Sequence, residues 1–337
     1  MGKTGAARKL ASAAAYGGGG LSLLGAGLYG VLRAEARLAR HLIGEPVGDG
    51  PPDASGWYGR RLPGPAIRLA LLGDSSAAGY GVQRVEETPG AVLASGVARG
   101  ANRRVYLREF AVVGAQSSHL ADQVERALAI EPDVAVIFIG ANDVTHTVLP
   151  SQSVRHLGEA VRRLVAAGCE VVVGTCPDLG TVQPIPQPLR QVARAWSRRL
   201  AAAQTITVVE AGGRTVSLGS ILGPEFDAAP ALFFGPDRFH PSADGYRALA
   251  EVVIGTVLAA LGATTKAEDS LQRARGEGVL PVATAAVQAV REPGTELGGT
   301  EVGGTERGLR GRWVELRHRH RRTEEDVESP EPDPAVE

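Results

Sequence analysis

From Ile67 onward the chain alternates five short apolar runs with stretches whose apolar residues recur at helical spacing, and this alternation restricts the fold more than any other feature. The runs are Ile67 to Leu72, Val105 to Val113, Val134 to Ile139, Val171 to Gly174 and Ile206 to Val209. Between them lie Pro89 to Arg99, Ser118 to Ile130, Val154 to Ala167 and Leu189 to Ala203, and Ser242 to Leu261 makes a last helix. Short continuous apolar runs without strict alternation read as strands covered on both faces. Strand–helix–strand repeats of this length join parallel strands by right-handed crossovers. The expected fold is therefore a three-layer α/β/α sandwich, flavodoxin-like, around a five-stranded parallel sheet.

In such a sheet, ligands and reacting groups collect at the carboxyl ends of the strands. The first run stops there in Gly73-Asp74-Ser75-Ser76. Asp and Ser after a strand are also common helix caps, so the triplet alone does not define a site. A serine hydroxyl becomes a nucleophile only beside a base. The segment Gly235-Pro236-Asp237-Arg238-Phe239-His240-Pro241 supplies one: Asp237 and His240 lie three residues apart in a loop entering the last helix, so the carboxylate can hold one imidazole nitrogen and leave the other for Ser75. Gly114 follows the second run, and Gly140-Ala141-Asn142-Asp143 follows the third; a backbone N–H or the Asn142 amide there can donate to an oxyanion, though both segments also suit ordinary turns.

Taken in order, Gly73-Asp74-Ser75, Gly114, Gly140-Ala141-Asn142-Asp143 and Asp237-Arg238-Phe239-His240 resemble the signature segments of the SGNH or GDSL hydrolases, over about residues 65 to 262. The likeness is strongest to the bacterial lipases and esterases of that family. It implies Ser75 as nucleophile in preference to Ser76, His240 as general base and then acid, and Asp237 as its orienting partner. It further implies an oxyanion hole made by the N–H groups of Ser75 and Gly114 with the Asn142 side chain, and no metal or organic cofactor. The implied reaction is hydrolysis of a carboxylic ester through an acyl-enzyme, with a small-molecule or lipid ester as substrate. An acyltransferase or deacetylase acting on envelope sugar or lipid esters is the alternative within that chemistry. A non-catalytic, membrane-tethered binding protein is the alternative outside it.

The remaining features bound this reading. The 337 residues, 44% hydrophobic and 22% charged, suffice for one sizeable domain with extensions, and a net charge of −1 gives no global attraction to nucleic acid, which is not expected as a partner. Cys169 and Cys176 flank a strand, which sets them about 23 Å apart, so they are expected to be unpaired. No Cys or His cluster has metal-ligand spacing. His119 and His146 are read as solvated helix or loop positions, the Val182 to Pro188 loop as either a lid or a connector, and Phe226, Phe233, Phe234 and Phe239 as core or acyl-binding wall. Oligomeric state is not legible.

Residues 1–42 read as a leader in which the uncharged stretch 10–32 would span ~34 Å as a helix, enough to cross a hydrocarbon core of ~30 Å. A signal anchor is favoured over an untranslocated leader, so membrane association through residues 10–32 and a cell-envelope location, anchored or secreted, are expected, with the cytoplasm as the alternative. Residues 43–64 read as a Gly/Pro-rich linker and 65–262 as the hydrolase domain. Residues 263–337 read as a largely disordered tail holding three Gly-Thr-Glu pentapeptides from Gly294 to Gly308, a basic stretch from Arg310 to Arg322 and an acidic end.

Overall fold

The computed structural model describes residues 30–39, 41–42 and 50–263, with short strands at 280–281, 300–302 and 305–307. Six strands build the main sheet: β1 (Gly56–Tyr58), β2 (Ile67–Gly73), β3 (Val105–Glu109), β4 (Val134–Phe138), β5 (Glu170–Gly174) and β6 (Arg214–Val216). Their spatial order is β1-β3-β2-β4-β5-β6, with every neighbour parallel except β1, which runs antiparallel to β3. The five parallel strands alone follow the flavodoxin order, and their direction of winding reverses at β2, between β3 and β4.

The helices are α1 (Ser75–Ala78), α2 (Pro89–Ala101), α3 (Leu120–Leu128), α4 (Ala141–Thr145), α5 (Pro150–Ala166), α6 (Leu189–Glu210), α7 (Leu218–Ala228), α8 (Pro230–Phe233) and α9 (Ala243–Ala260). They cover both faces of the sheet. Ile67, Leu69 and Leu71 of β2 point to one side with Val136 and Phe138, where they meet Leu93 and Val97 of α2, Leu218 and Leu222 of α7, and Leu249 and Val253 of α9. Ala70 and Leu72 point to the other with Ile137 and Val173, against Leu120 and Val124 of α3, Leu157 and Leu164 of α5, and Val208 of α6. The two-residue alternation of a strand thus feeds two separate cores, which is why these runs are apolar throughout.

Two elements differ from the sequence expectation. Ile206 to Val209 is not a strand: it is the last turn of α6, and the fifth parallel strand is Arg214–Val216. The β-branched residues Ile206, Val208 and Val209 favour a strand locally, but burial at Ser197, Leu200, Ala201, Gln204, Thr205, Val208 and Val209 keeps a helical period to the end of α6. Packing of that stripe against the sheet outweighs propensity. The second difference lies in the 43–64 segment, which contributes β1 as an antiparallel edge, making the sheet six-stranded and mixed. The C-terminal repeats also pair, Thr300–Val302 with Thr305–Arg307 antiparallel and with Leu280–Pro281 parallel. Residues 10–29 and 308–337, including the basic and acidic runs, lie outside the described residues. Among the described residues no helix is long and apolar enough to cross a membrane.

Glu109 fastens the β1 segment to β3. Its Oε2 accepts the Ala54 N–H at 2.9 Å, its own N–H donates to Ser55 Oγ at 3.1 Å, and the Tyr58 hydroxyl donates to the Ala54 carbonyl at 2.7 Å. Burial pushes the Glu109 carboxyl up from 4.5 to about 7; the Ala54 N–H opposes the rise and the Asp53 charge adds to it. The native state then keeps a proton that the unfolded chain releases, so Glu109 costs stability as pH rises from about 4.5 to about 7. Glu109→Gln is expected to be more stable than wild type at pH 8 by about 3 kcal/mol and equal to it near pH 4. Thermal unfolding of both proteins across that range checks the sign, and parallel curves would refute it.

Candidate active site

The turn that carries Ser75 is built from the end of β2. Gly73 has φ +134°, and a side chain there would collide with the Phe138 carbonyl, so β2 and β4 approach closely where the chain leaves the sheet. Gln123, buried on the apolar stripe of α3, clasps the same residue: its Oε1 accepts the Gly73 N–H at 2.7 Å and its Nε2 donates to the Gly73 carbonyl at 2.9 Å. Asp74 caps α1 by accepting the Ser76 N–H at 2.9 Å, and Gly79 ends the helix in the left-handed region. Burial raises the Asp74 carboxyl to about 6 against the pull of the Ser76 N–H. Ser75 is thereby held at the first position of α1, where its carbonyl accepts the Tyr80 N–H at 3.0 Å and the hydroxyl of fully buried Tyr246 at 3.4 Å.

Across the switch point, β4 leads through Gly140 into α4. Asn142 donates its Nδ2 to the Ala115 carbonyl at 3.1 Å, which ties the β4 loop to the β3 loop. Asp143 is buried and does the same work from the other side, accepting the Ser117 N–H at 3.2 Å, the Ser117 hydroxyl at 3.0 Å and the Ser153 hydroxyl at 2.9 Å. A buried carboxylate is tolerable when so well supplied with donors.

The loop before α9 brings in the third group. Its ends are paired, Phe234 with Pro241, and Arg238 at its tip has φ +57°. Asp237 is buried within the loop; its Oδ1 accepts the N–H groups of Phe239 and His240, both at 3.0 Å, and its Oδ2 meets His240 Nδ1 at 2.6 Å. Burial alone would raise the Asp237 carboxyl, but the His240 side chain and these two N–H groups outweigh it and hold the carboxyl below its usual range. The other imidazole nitrogen, Nε2, lies 3.2 Å from Ser75 Oγ. Tyr80 and Phe239 meet the ring edge to face at 4.9 and 5.0 Å, which fixes its plane.

Ser75, Asn142 and His240 open on one cleft. Its wall is apolar, with Leu218, Leu222, Phe226, Phe234, Phe239 and Leu249 prominent, and Asp178 sits at its edge. Asp178 is paired with Arg194 and Arg198 at 3.3 and 3.0 Å.

Of the residues singled out in the sequence, Ser75, His240 and Asp237 are in hydrogen-bonded series and Asn142 shares their cleft. Gly114 is not part of the cleft wall: it stands exposed on the β3 loop with φ +80°. Ser76 lines the cleft, while His240 Nε2 meets Ser75 Oγ. His119 and His146 are exposed, the first accepting the Gln116 N–H and the second beside the Asn142 carbonyl. Phe226, Phe234 and Phe239 line the cleft, and Phe233 stacks behind Phe226 at 5.0 Å. From the Pro-rich loop, Val182 reaches the cleft while Ile185 is packed with Leu179 and Leu200. Gln123 and Tyr246 were not legible as site residues; a polar side chain on the apolar stripe of α3 is the one trace the first leaves. Both cysteines are free and buried. Among the described residues no group of three or more His, Cys, Asp or Glu is placed to hold a metal ion.

The GDSL-like lipase/acylhydrolase family model matches residues 71–248. A GDSL-like esterase of Mycobacterium tuberculosis is 43% identical over 256 residues, covering 72% of this chain and 80% of that protein. Among solved structures, a putative GDSL-like lipase from Parabacteroides merdae is 20% identical with a TM-score of 0.43, covering 59% of this chain and 96% of that one. A lipase/acylhydrolase from Enterococcus faecalis is likewise 20% identical, with a TM-score of 0.42, over 57% and 95%. The chain belongs to the GDSL-like lipase/acylhydrolase family and is a carboxylic ester hydrolase.

Proposed function

We propose that ester hydrolysis runs through Ser75, His240 and Asp237; the observation that carries this reading is the pair of contacts, 3.2 and 2.6 Å, that joins the three at the mouth of the apolar cleft. Ser75 Oγ attacks the ester carbonyl carbon while its proton passes to His240 Nε2. The carbonyl electron pair moves onto oxygen. On collapse, His240 returns the proton to the departing alkoxide, leaving an acyl-serine. Water then attacks the acyl-serine, giving its proton to His240, and on collapse His240 returns that proton to Ser75 Oγ as the carboxylic acid is released. Asp237 stabilises the imidazolium in both steps.

Asn142 is suited to the oxyanion because one of its two amide hydrogens is spent on Ala115 and orients the other. The N–H of Ser75, at the start of α1, is a second donor. We assign the Gly114 N–H as the third, contributed by the β3 loop when substrate is bound. The uncharged stretch 10–32 supports an envelope location with the N-terminal segment as anchor.

Two measurements on the 337-residue protein test this reading. A fluorophosphonate should label Ser75 alone, as read by peptide mass spectrometry; label elsewhere, or none on folded protein, defeats it. Across p-nitrophenyl esters, kcat/KM should rise about fourfold per added methylene until the cleft is filled, since each buried methylene contributes about 0.8 kcal/mol. A profile that peaks at acetyl would mean that the acyl group does not enter the apolar cleft.

A further inference from the structure

The large apolar side chains that stay exposed are unevenly distributed. Ten of them among the described residues are 39% to 53% exposed, and only Trp57, on edge strand β1, lies away from the end of the molecule where the cleft opens. Val112 and Val113 follow β3, the first donating its N–H to the Gly73 carbonyl at 3.1 Å. Val85 precedes α2, Leu149 precedes α5 and Val192 lies in the first turn of α6, so each marks the start of a helix returning from the carboxyl edge of the sheet. Leu232 sits in α8, and its carbonyl accepts the Ser242 hydroxyl where α9 begins.

The other three belong to the N-terminal helical residues 30–39 and 41–42, which are fastened to the same edge. Glu35 accepts the Leu189 N–H at 2.8 Å, and Arg238, beside the Asp237–His240 pair, donates to the Leu42 carbonyl at 3.0 Å. Ala39 is buried with Val144, Leu179 and Val182. Single exposed apolar residues need no explanation, but their concentration around one apolar opening does.

We propose that this edge rests on an anionic lipid bilayer, so that acyl esters pass from the bilayer directly into the cleft; the second half rests on the Ser75 reading above. The chain itself names the occupant. Residues 10–32, uncharged and long enough to cross a hydrocarbon core, lead straight into the segment clipped to this edge. That segment carries Arg33, Arg37 and Arg40 against Glu35 alone, a positive flank suited to anionic head groups. The cleft wall that would receive an acyl chain from lipid includes Leu222, Phe226 and Phe234.

The test uses the full-length protein with a single added cysteine, Leu149→Cys or Leu232→Cys on the edge, or Glu210→Cys at the far end of α6, each carrying an environment-sensitive fluorophore. Cys169 and Cys176, 2% and 1% exposed, stay unlabelled. With vesicles of phosphatidylcholine and phosphatidylglycerol, emission should rise and shift to the blue at 149 and 232 and stay unchanged at 210. Protein that sediments with the vesicles while all three labels report water overturns the proposal, because the anchor then holds the cleft away from the membrane. Blue-shifted emission at 149 and 232 without vesicles also overturns it, since the edge is then covered by a second copy or by residues 1–29 or 264–337. Independently, Leu149→Glu combined with Leu232→Glu should lower the ratio of vesicle-embedded to soluble ester turnover about tenfold. An unchanged ratio refutes direct transfer. The labels read docking without turnover, so failure of the docking and failure of the Ser75 chemistry are separable.

Discussion

Replacing Ser75 by alanine is expected to lower kcat/KM on carboxylic esters by about 100,000-fold and to leave thermal unfolding essentially unchanged. The asymmetry follows from what the two halves of the residue do. Its backbone carries the structural bonds, with the carbonyl accepting from Tyr80 N–H and the Tyr246 hydroxyl, and these survive truncation. Its hydroxyl meets His240 Nε2. The remaining rate would come from the oxyanion donors and from substrate held in the cleft, which act without the nucleophile. Ser76→Ala supplies the control: Ser76 serves the Asp74 cap through its backbone N–H, so that variant should keep most of its activity. Steady-state assays on both variants decide the matter. A Ser75→Ala protein that turns over ester like wild type, or a Ser76→Ala protein that does not, would move the nucleophile one residue along α1.

The parts of this molecule that were legible in the sequence are those fixed by short-range physics. Runs buried on two faces must be apolar throughout, so β2, β4 and β5 stood out; the short segments that follow β2 and β4 drew attention to Ser75 and Asn142, and the three-residue spacing in the loop before the last helix to the Asp237–His240 pair. What failed depended on partners distant in sequence. Ile206 to Val209 has the branched side chains of a strand, and only the continuing stripe from Ser197 to Val209 shows that it belongs to α6. β6 is three residues long and begins with Arg214, so nothing local marked it. β1 lies in a Gly/Pro-rich segment and exists because Glu109, 55 residues away, accepts the Ala54 N–H.

The same distinction holds inside the site. The residues assigned to the reaction sit in recognisable segments, but the groups that hold them come from elsewhere in the chain. Gln123 reaches Gly73 across 50 residues, and Tyr246 reaches Tyr80 across 166 with a 2.7 Å bond. Asp143 was visible as part of its motif, yet its role as acceptor for Ser117 and Ser153 needed the packed loops. Supporting residues of this kind leave at most a polar side chain on an apolar face as their trace.

Asp237→Asn is the second large loss, about 1,000- to 10,000-fold in kcat, and its cause is the position of one proton. In the proposed mechanism the wild-type carboxylate takes a hydrogen from His240 Nδ1 through Oδ2, which leaves Nε2 unprotonated and able to accept the Ser75 proton. In the Asn variant the side-chain oxygen is retained where Phe239 and His240 donate their N–H groups to Oδ1, because a flipped amide would set its NH₂ against two donors. The amide NH₂ must therefore face Nδ1. An N–H pointing at Nδ1 selects the imidazole tautomer with its proton on Nε2, which cannot act as base toward Ser75. The loop, however, keeps both backbone bonds, so the variant should fold and bind substrate normally, with the loss in kcat and little change in KM. Asp237→Ala removes those bonds as well and should lose thermal stability besides activity. The carboxyl is held below its ordinary 3.8, so its contribution to stability is complete above that pH and fades as pH falls through the lower native value. Acid unfolding should consequently be less steep in Asp237→Asn than in wild type. An Asp237→Asn enzyme with wild-type kcat would show that His240 takes its tautomer from some other group, and the series from Asp237 to Ser75 would lose its first member.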